Sequence, residues 1–123
     1  MTTVVNQNTL NRINQLQQEI NALNSENNTY NTLLNQVNNA KNHLENANRK
    51  MNTSQTDLVR FYSVDGRIND DGRFRNVINE IIQLINSTDS FRNAIINQQN
   101  NNRNSINAKN DEKRRLEESL LIR

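Results

Sequence analysis

The stretch VDGRINDDGRF, Val64 to Phe74, decides how this chain of 123 residues is read. It holds both glycines of a chain that has no proline, and it lies close to the middle. Gly66 suits the left-handed residue that ends a helix, because it has no Cβ to clash there. Gly72 marks the second half of the same interruption. Asp70 or Asp71 suits the N-cap of a following helix, where a carboxylate accepts from the first free N–H groups. The segment therefore reads as a turn between two long helices.

On the N-terminal side the apolar positions alternate in steps of three and four: Ile13, Leu16, Ile20, Leu23, Asn27, Tyr30, Leu34, Val37. That is a heptad seam. After Val37 the stripe reads one residue aside, as Ala40, Leu44, Ala47, Met51, Ser54, Leu58 and Phe61. On the C-terminal side Phe74, Val77, Ile78, Ile81, Leu84, Ile85, Thr88, Phe91 and Ile95 form a wider stripe. Asn97 to Ser105 is polar throughout, and Leu116, Leu120 and Leu121 resume the pattern. The reading is an all-α, antiparallel two-helix hairpin forming one domain over residues 1–123. Its helices span 8–63 and 73–121, with a turn over 64–72.

A turn centred near Asn69 sets the expected register. It places Leu58 beside Ile81, Met51 near Ile85 and Thr88, Leu44 near Ile95, and Ile20 and Leu23 near Leu116 and Leu120. The polar run then falls opposite Leu33 to Lys41. Leu33, Leu34 and Val37 would face asparagines, which makes them the expected partner-binding face. A two-helix hairpin covers each apolar stripe from one side only, so a further layer is expected. A rival local reading is a β-hairpin at the tip, because Asp-Gly stands between strand-like runs. That would make the chain resemble a prefoldin-like chaperone subunit.

Composition narrows the function. There is no cysteine, so no disulfide framework and no thiolate metal site. The single histidine, His43, stands beside Leu44 as a solvent-side helix residue. No nucleophile and base stand at catalytic spacing, and no phosphate-cradling glycine loop is present. A calcium loop with Gly72 at its sixth position would need oxygen ligands at Arg67 and Ile78, which have none to give. Neither catalysis, a cofactor nor a metal is expected. Asparagine supplies 28 residues, and its amide competes for backbone groups. Helix stability must then come from the packed stripe. Fifteen Lys and Arg interleave with 13 Asp and Glu, as on a solvated helix face. That is not the one-sided basic patch of a nucleic-acid binder. The N-terminus shows no signal-peptide pattern and no segment has the length of a membrane helix. A cytoplasmic protein is expected, any export using no cleaved signal.

The register INQLQQEINALNSENNTYNTLLNQVNNAKNHLENANRKM, the chain length and the central glycine turn resemble the WXG-like helical-hairpin superfamily of bacterial type VII secretion. Within it the chain looks most like the small helical partners of LXG-type toxins. The resemblance covers most of the chain. Its Trp-Xaa-Gly turn is replaced here by Val64-Asp65-Gly66. The resemblance implies an adaptor that packs against the helical N-terminal domain of a toxin, with a second small helical protein or a homodimer as further options, and delivers it to the secretion machinery. Phe61 and Asp65 resemble the aromatic-xxx-acid export signal, since residues four apart share one helix face. The rival from another class is a self-associating coiled-coil protein.

Overall fold

The computed structural model describes the backbone of residues 2–63 and 73–121, and the side chains of residues 7–58 and 75–121. All described residues are helical. Helix α1 spans Thr2–Ser63 and helix α2 spans Arg73–Leu121. The two pack antiparallel as a hairpin, the expected fold class. α2 runs unbroken through Asn97–Ser105. The turn residues Asp65, Gly66 and Gly72, and with them the β-hairpin alternative, lie outside the described residues.

Burial reveals one uninterrupted heptad on each helix. On α1 the shielded positions are Thr9, Ile13, Leu16, Ile20, Leu23, Asn27, Tyr30, Leu34, Val37, Lys41, Leu44, Asn48, Met51, Gln55 and Leu58. The expected sideways step after Val37 does not occur. Ala40 and Ser54 are exposed, and polar Lys41, Asn48 and Gln55 hold the seam instead. On α2 the seam runs Ile78, Ile81, Ile85, Thr88, Arg92, Ile95, Gln99, Asn102, Ile106, Lys109, Lys113, Leu116 and Leu120. All of these but Arg92 are at least half-buried. A seven-residue repeat kept over this length lets one stripe face the partner helix throughout.

Packing gathers into two units, Met1–Leu33 with Ile95–Arg123, and Leu34–Ala94. Among the described residues the first holds every fully shielded side chain: Ile13, Leu16, Ile20 and Ile95, with the polar Gln99 and Asn102. Leu16 is 0% exposed, although it sits between Arg12 and Glu19, whose partners across the seam are Glu112 and Lys109. Across the seam, half-buried Lys109 and Lys113 bond Glu19 at 3.1 Å and Gln17 at 2.7 Å. Long cationic side chains can lie along a seam with a solvated tip.

Further along this unit the seam is built from amides. Gln99 Nε2 donates to the Asn27 carbonyl at 3.2 Å and to Asn31 Oδ1 at 2.8 Å. Asn102 Nδ2 donates to Asn27 Oδ1 at 2.9 Å, and Gln98 Nε2 donates to Asn102 Oδ1 at 3.1 Å. The polar run thus faces Asn27 and Asn31, not Leu33 to Lys41. Arg12 with Glu112 is centred on position 62 and Lys41 with Asp89 on position 65, not on 69. The expected register was off by about one heptad. The physical reason is hydrogen bonding. The expected alignment would bury Gln99 and Asn102 against leucines, at about 1–3 kcal/mol for each unsatisfied amide.

Leu16→Ala should lower the unfolding free energy by about 2–5 kcal/mol, read from urea titration of helical circular dichroism. A loss below about 1 kcal/mol would mean that Leu16 lies outside a packed core.

Candidate helix-docking face

In the heptad, each helix carries two edge positions beside the seam. Because the chains run in opposite directions, edge residues that directly precede a seam residue such as Lys41 on α1 share one side of the hairpin with those that directly precede Ile78 on α2. Edge residues that follow by four lie on the other side.

In the Leu34–Ala94 unit the second side carries an ion pair together with the exposed Ile82. Lys41 Nζ reaches Asp89 Oδ1 at 2.8 Å and Glu45 Oε1 at 4.0 Å. The hydrogen bond that Lys41 donates to Asp89, and the charge of that carboxylate, raise the Lys41 pKa above its ordinary value. The first side is different. On α1 it carries Ala40, Ala47 and Ser54, and on α2 Val77, Leu84 and Phe91. Val77 is 40% exposed, Leu84 52% and Phe91 55%. These three are half of the six large apolar side chains that the described residues expose; Ile82, a fourth, lies on the second side. They cluster within 15 positions of one helix.

Taking Lys41 as level with Asp89, Ala40 falls within one residue of Phe91, Ala47 within one of Leu84 and Ser54 within one of Val77. One residue is about 1.5 Å of rise. The side is therefore three layers, each with one small residue on α1 and one large apolar residue on α2. It is a shallow apolar groove bounded by a ridge, and its repeat is that of a helix. The unit behind it has no fully shielded side chain among the described residues. Asn48 Oδ1, in its seam, is covered yet has no hydrogen-bond partner. Two helices alone leave this unit thinly covered.

The same side of the first unit is closed by charge. Arg12 Nε donates to Glu112 Oε1 at 3.0 Å and Arg12 Nη2 to Glu112 Oε2 at 3.2 Å, a bidentate pair. The hydrogen bond raises the Arg12 pKa and lowers that of Glu112.

The residues expected as the partner face sit elsewhere. Leu34 and Val37 are half-buried seam positions of the second unit, and Leu33 is half-buried in the first. Phe61 belongs to α1, but its side chain lies outside the described residues, as does Asp65. His43 is exposed, as expected of a solvent-side position. Sequence reading missed the groove because it put Ala40, Ala47 and Ser54 in the seam. The signal that could have found it was the even seven-residue spacing of Val77, Leu84 and Phe91.

Among the described residues no three or more His, Cys, Asp or Glu gather as metal ligands. No helix of the described residues is long and apolar enough to cross a membrane. Comparison with protein-family models, with curated proteins and with solved structures finds no match.

The pH dependence follows from the Glu112 shift. Its folded pKa lies below the unfolded one, so its stabilisation is present above the unfolded carboxylate pKa, about 4.3, and is lost as pH falls through the folded value. Melting temperature should fall on acidification from pH 7 to 3, and fall less in Glu112→Gln. Equal falls in the two proteins would remove Arg12–Glu112 from the acid response.

Proposed function

We propose that the chain is a non-enzymatic helix-packing adaptor. The observation that carries this is the groove of small α1 residues and the ridge Val77, Leu84 and Phe91 beside it. A contiguous apolar stripe left open on a thin unit is the form of a surface that a further helical layer completes. The sequence resemblance supplies the biological reading of the adaptor. It packs with the helical N-terminal domain of an LXG-type toxin and helps deliver the complex to the type VII secretion machinery. Phe61 and Asp65, four residues apart in the sequence, are the residues proposed to carry the export signal.

The paired substitution Leu84→Asp and Phe91→Asp should abolish co-purification of the toxin's helical domain, while circular dichroism stays helical because both positions are exposed. Undiminished co-purification would remove the groove from cargo binding. In a secretion assay, Phe61→Ala or Asp65→Ala should leave the complex intact and retain it in the cell. Normal export of both variants would reduce them to structural residues of the helix end and turn.

A further inference from the structure

Asparagine is not scattered evenly over this hairpin. Asn14, Asn21, Asn28, Asn35 and Asn42 each stand one residue after a seam residue of α1, in unbroken steps of seven. Asn79, Asn86, Asn93, Asn100 and Asn107 hold the equivalent places on α2. All ten are exposed. The mirror places on the other flank of each helix run in the same steps from Gln15 to His43 and from Glu80 to Ala108. They are exposed as well, yet they hold one asparagine, Asn101. A compositional drift toward asparagine would fill both flanks alike. Asparagine is also a poorer helix former than the glutamine, alanine and glutamate of the mirror places. The two ladders are kept against helix propensity, on one flank only.

Both ladders border the second side of the hairpin, away from the groove. In the first unit Asn14, Asn21 and Asn28 form one rim, and Asn100 and Asn107 the other. Between the rims lie Gln17, Asn24 and Asn31 on α1, and Ile96, Arg103 and Asn110 on α2. Gln17 Nε2 donates to Asn21 Oδ1 at 2.8 Å, while Gln17 Oε1 accepts from Lys113 Nζ at 2.7 Å. Arg103 Nη1 donates to Asn100 Oδ1 at 3.1 Å. Those two rim oxygens are taken, so their NH2 groups are left to donate outward. The side-chain amides of Asn14, Asn28 and Asn107 make no bond among the described residues, and each offers a donor and an acceptor. Arg103 is the one charge between the rims.

Neutral amides repeated along a line select their ligand by its repeat. A heptad keeps the line along the hairpin, and seven residues rise about 10.5 Å. An extended β-1,4-linked hexopyranose chain repeats every two sugars at nearly that length, and its hydroxyl and acetamido groups are neutral donors and acceptors. Other polymers fit worse. An extended peptide repeats its side chains every two residues, about 6.7 Å. Nucleic acid calls for several cations to meet its phosphates. A docking helix has the right repeat but buries an apolar stripe, and between these rims only Ile96 is apolar. No aromatic residue stands there to stack on a ring, so a single sugar gains little and a chain that meets several rungs gains most. We propose that this asparagine-edged side of the first unit binds a β-1,4-linked glycan, laid along the hairpin with one disaccharide per heptad. The site is separate from the groove, and neither depends on the other.

The test sediments the full chain with insoluble chitin, cellulose and starch. Chitin or cellulose should carry the protein down. Starch should not, because its α-1,4-linked chains coil and lose the repeat. Retention on chitin alone supports a site that reads acetamido groups, and retention on both supports one that reads ring hydroxyls. Asn21→Ala, Asn28→Ala, Asn100→Ala and Asn107→Ala together should weaken binding by about tenfold or more. Helicity by circular dichroism should hold or rise in that variant, since alanine is the better helix former, so lost binding is not lost folding. The mirror-flank variant Gln15→Ala, Thr29→Ala and Asn101→Ala should bind as wild type does. Retention on neither β-1,4-linked polymer would overturn the proposal, as would equal retention on starch or a quadruple variant that binds like wild type. The groove is intact in the quadruple variant, so toxin co-purification tests the adaptor reading separately.

Discussion

The register of this hairpin hangs on a few amides that have to find each other. Gln99 and Asn102 are shielded from water, and a shielded amide without a partner costs about 1–3 kcal/mol. Asn27 answers both, with its carbonyl and its side chain, and Asn31 takes the second proton of Gln99. Slide one helix by a heptad and the apolar stripes still overlap. The amides do not. Apolar contacts reward any alignment that keeps the stripe inside, so they fix the face and leave the register open. The polar layer closes that freedom, as single polar seam residues do in coiled coils.

Everything at the edges follows from this alignment. Arg12 faces Glu112 and Lys41 faces Asp89 only in this register. The layers that set Ala40 by Phe91, Ala47 by Leu84 and Ser54 by Val77 are level for the same reason. A heptad slip would set Ala40, Ala47 and Ser54 one repeat out of step and leave a terminal knob without a small neighbour.

Much of this was legible in the chain. Ile13, Leu16, Ile20 and Leu23 announce the seam of α1 by spacing alone, and the absence of proline lets the helix run on. The ends at Ser63, Arg73 and Leu121 were readable from where the glycines cluster and where the apolar pattern stops. The register was not, because asparagine was read as background. In a chain with 28 of them, the few that bond across the seam look like the many that face water. The shielding of Leu16 was hidden for a related reason. Lysine reads as surface, yet Lys109 and Lys113 hold half-buried seam positions on the facing helix. The stripe beyond Val37 misled because alanine is apolar by name and too small to fill a seam. Lys41, Asn48 and Gln55 do that with longer side chains, which leaves Ala40, Ala47 and Ser54 to the edge.

The same heptad edge therefore has two chemistries along one chain. In the first unit it ends in a bidentate arginine–carboxylate pair, which keeps its geometry in water and gives an apolar partner nothing to bury. In the second it ends in small residues beside Val77, Leu84 and Phe91, which gain nothing from water and everything from being covered. Isolated exposed apolar residues need no account, since folded proteins carry many. Three at one heptad position, each level with a small residue on the facing helix, are different, because independent surface positions have no reason to keep that step. A helix that lays its own side chains down at the same interval fits such a surface over its whole length.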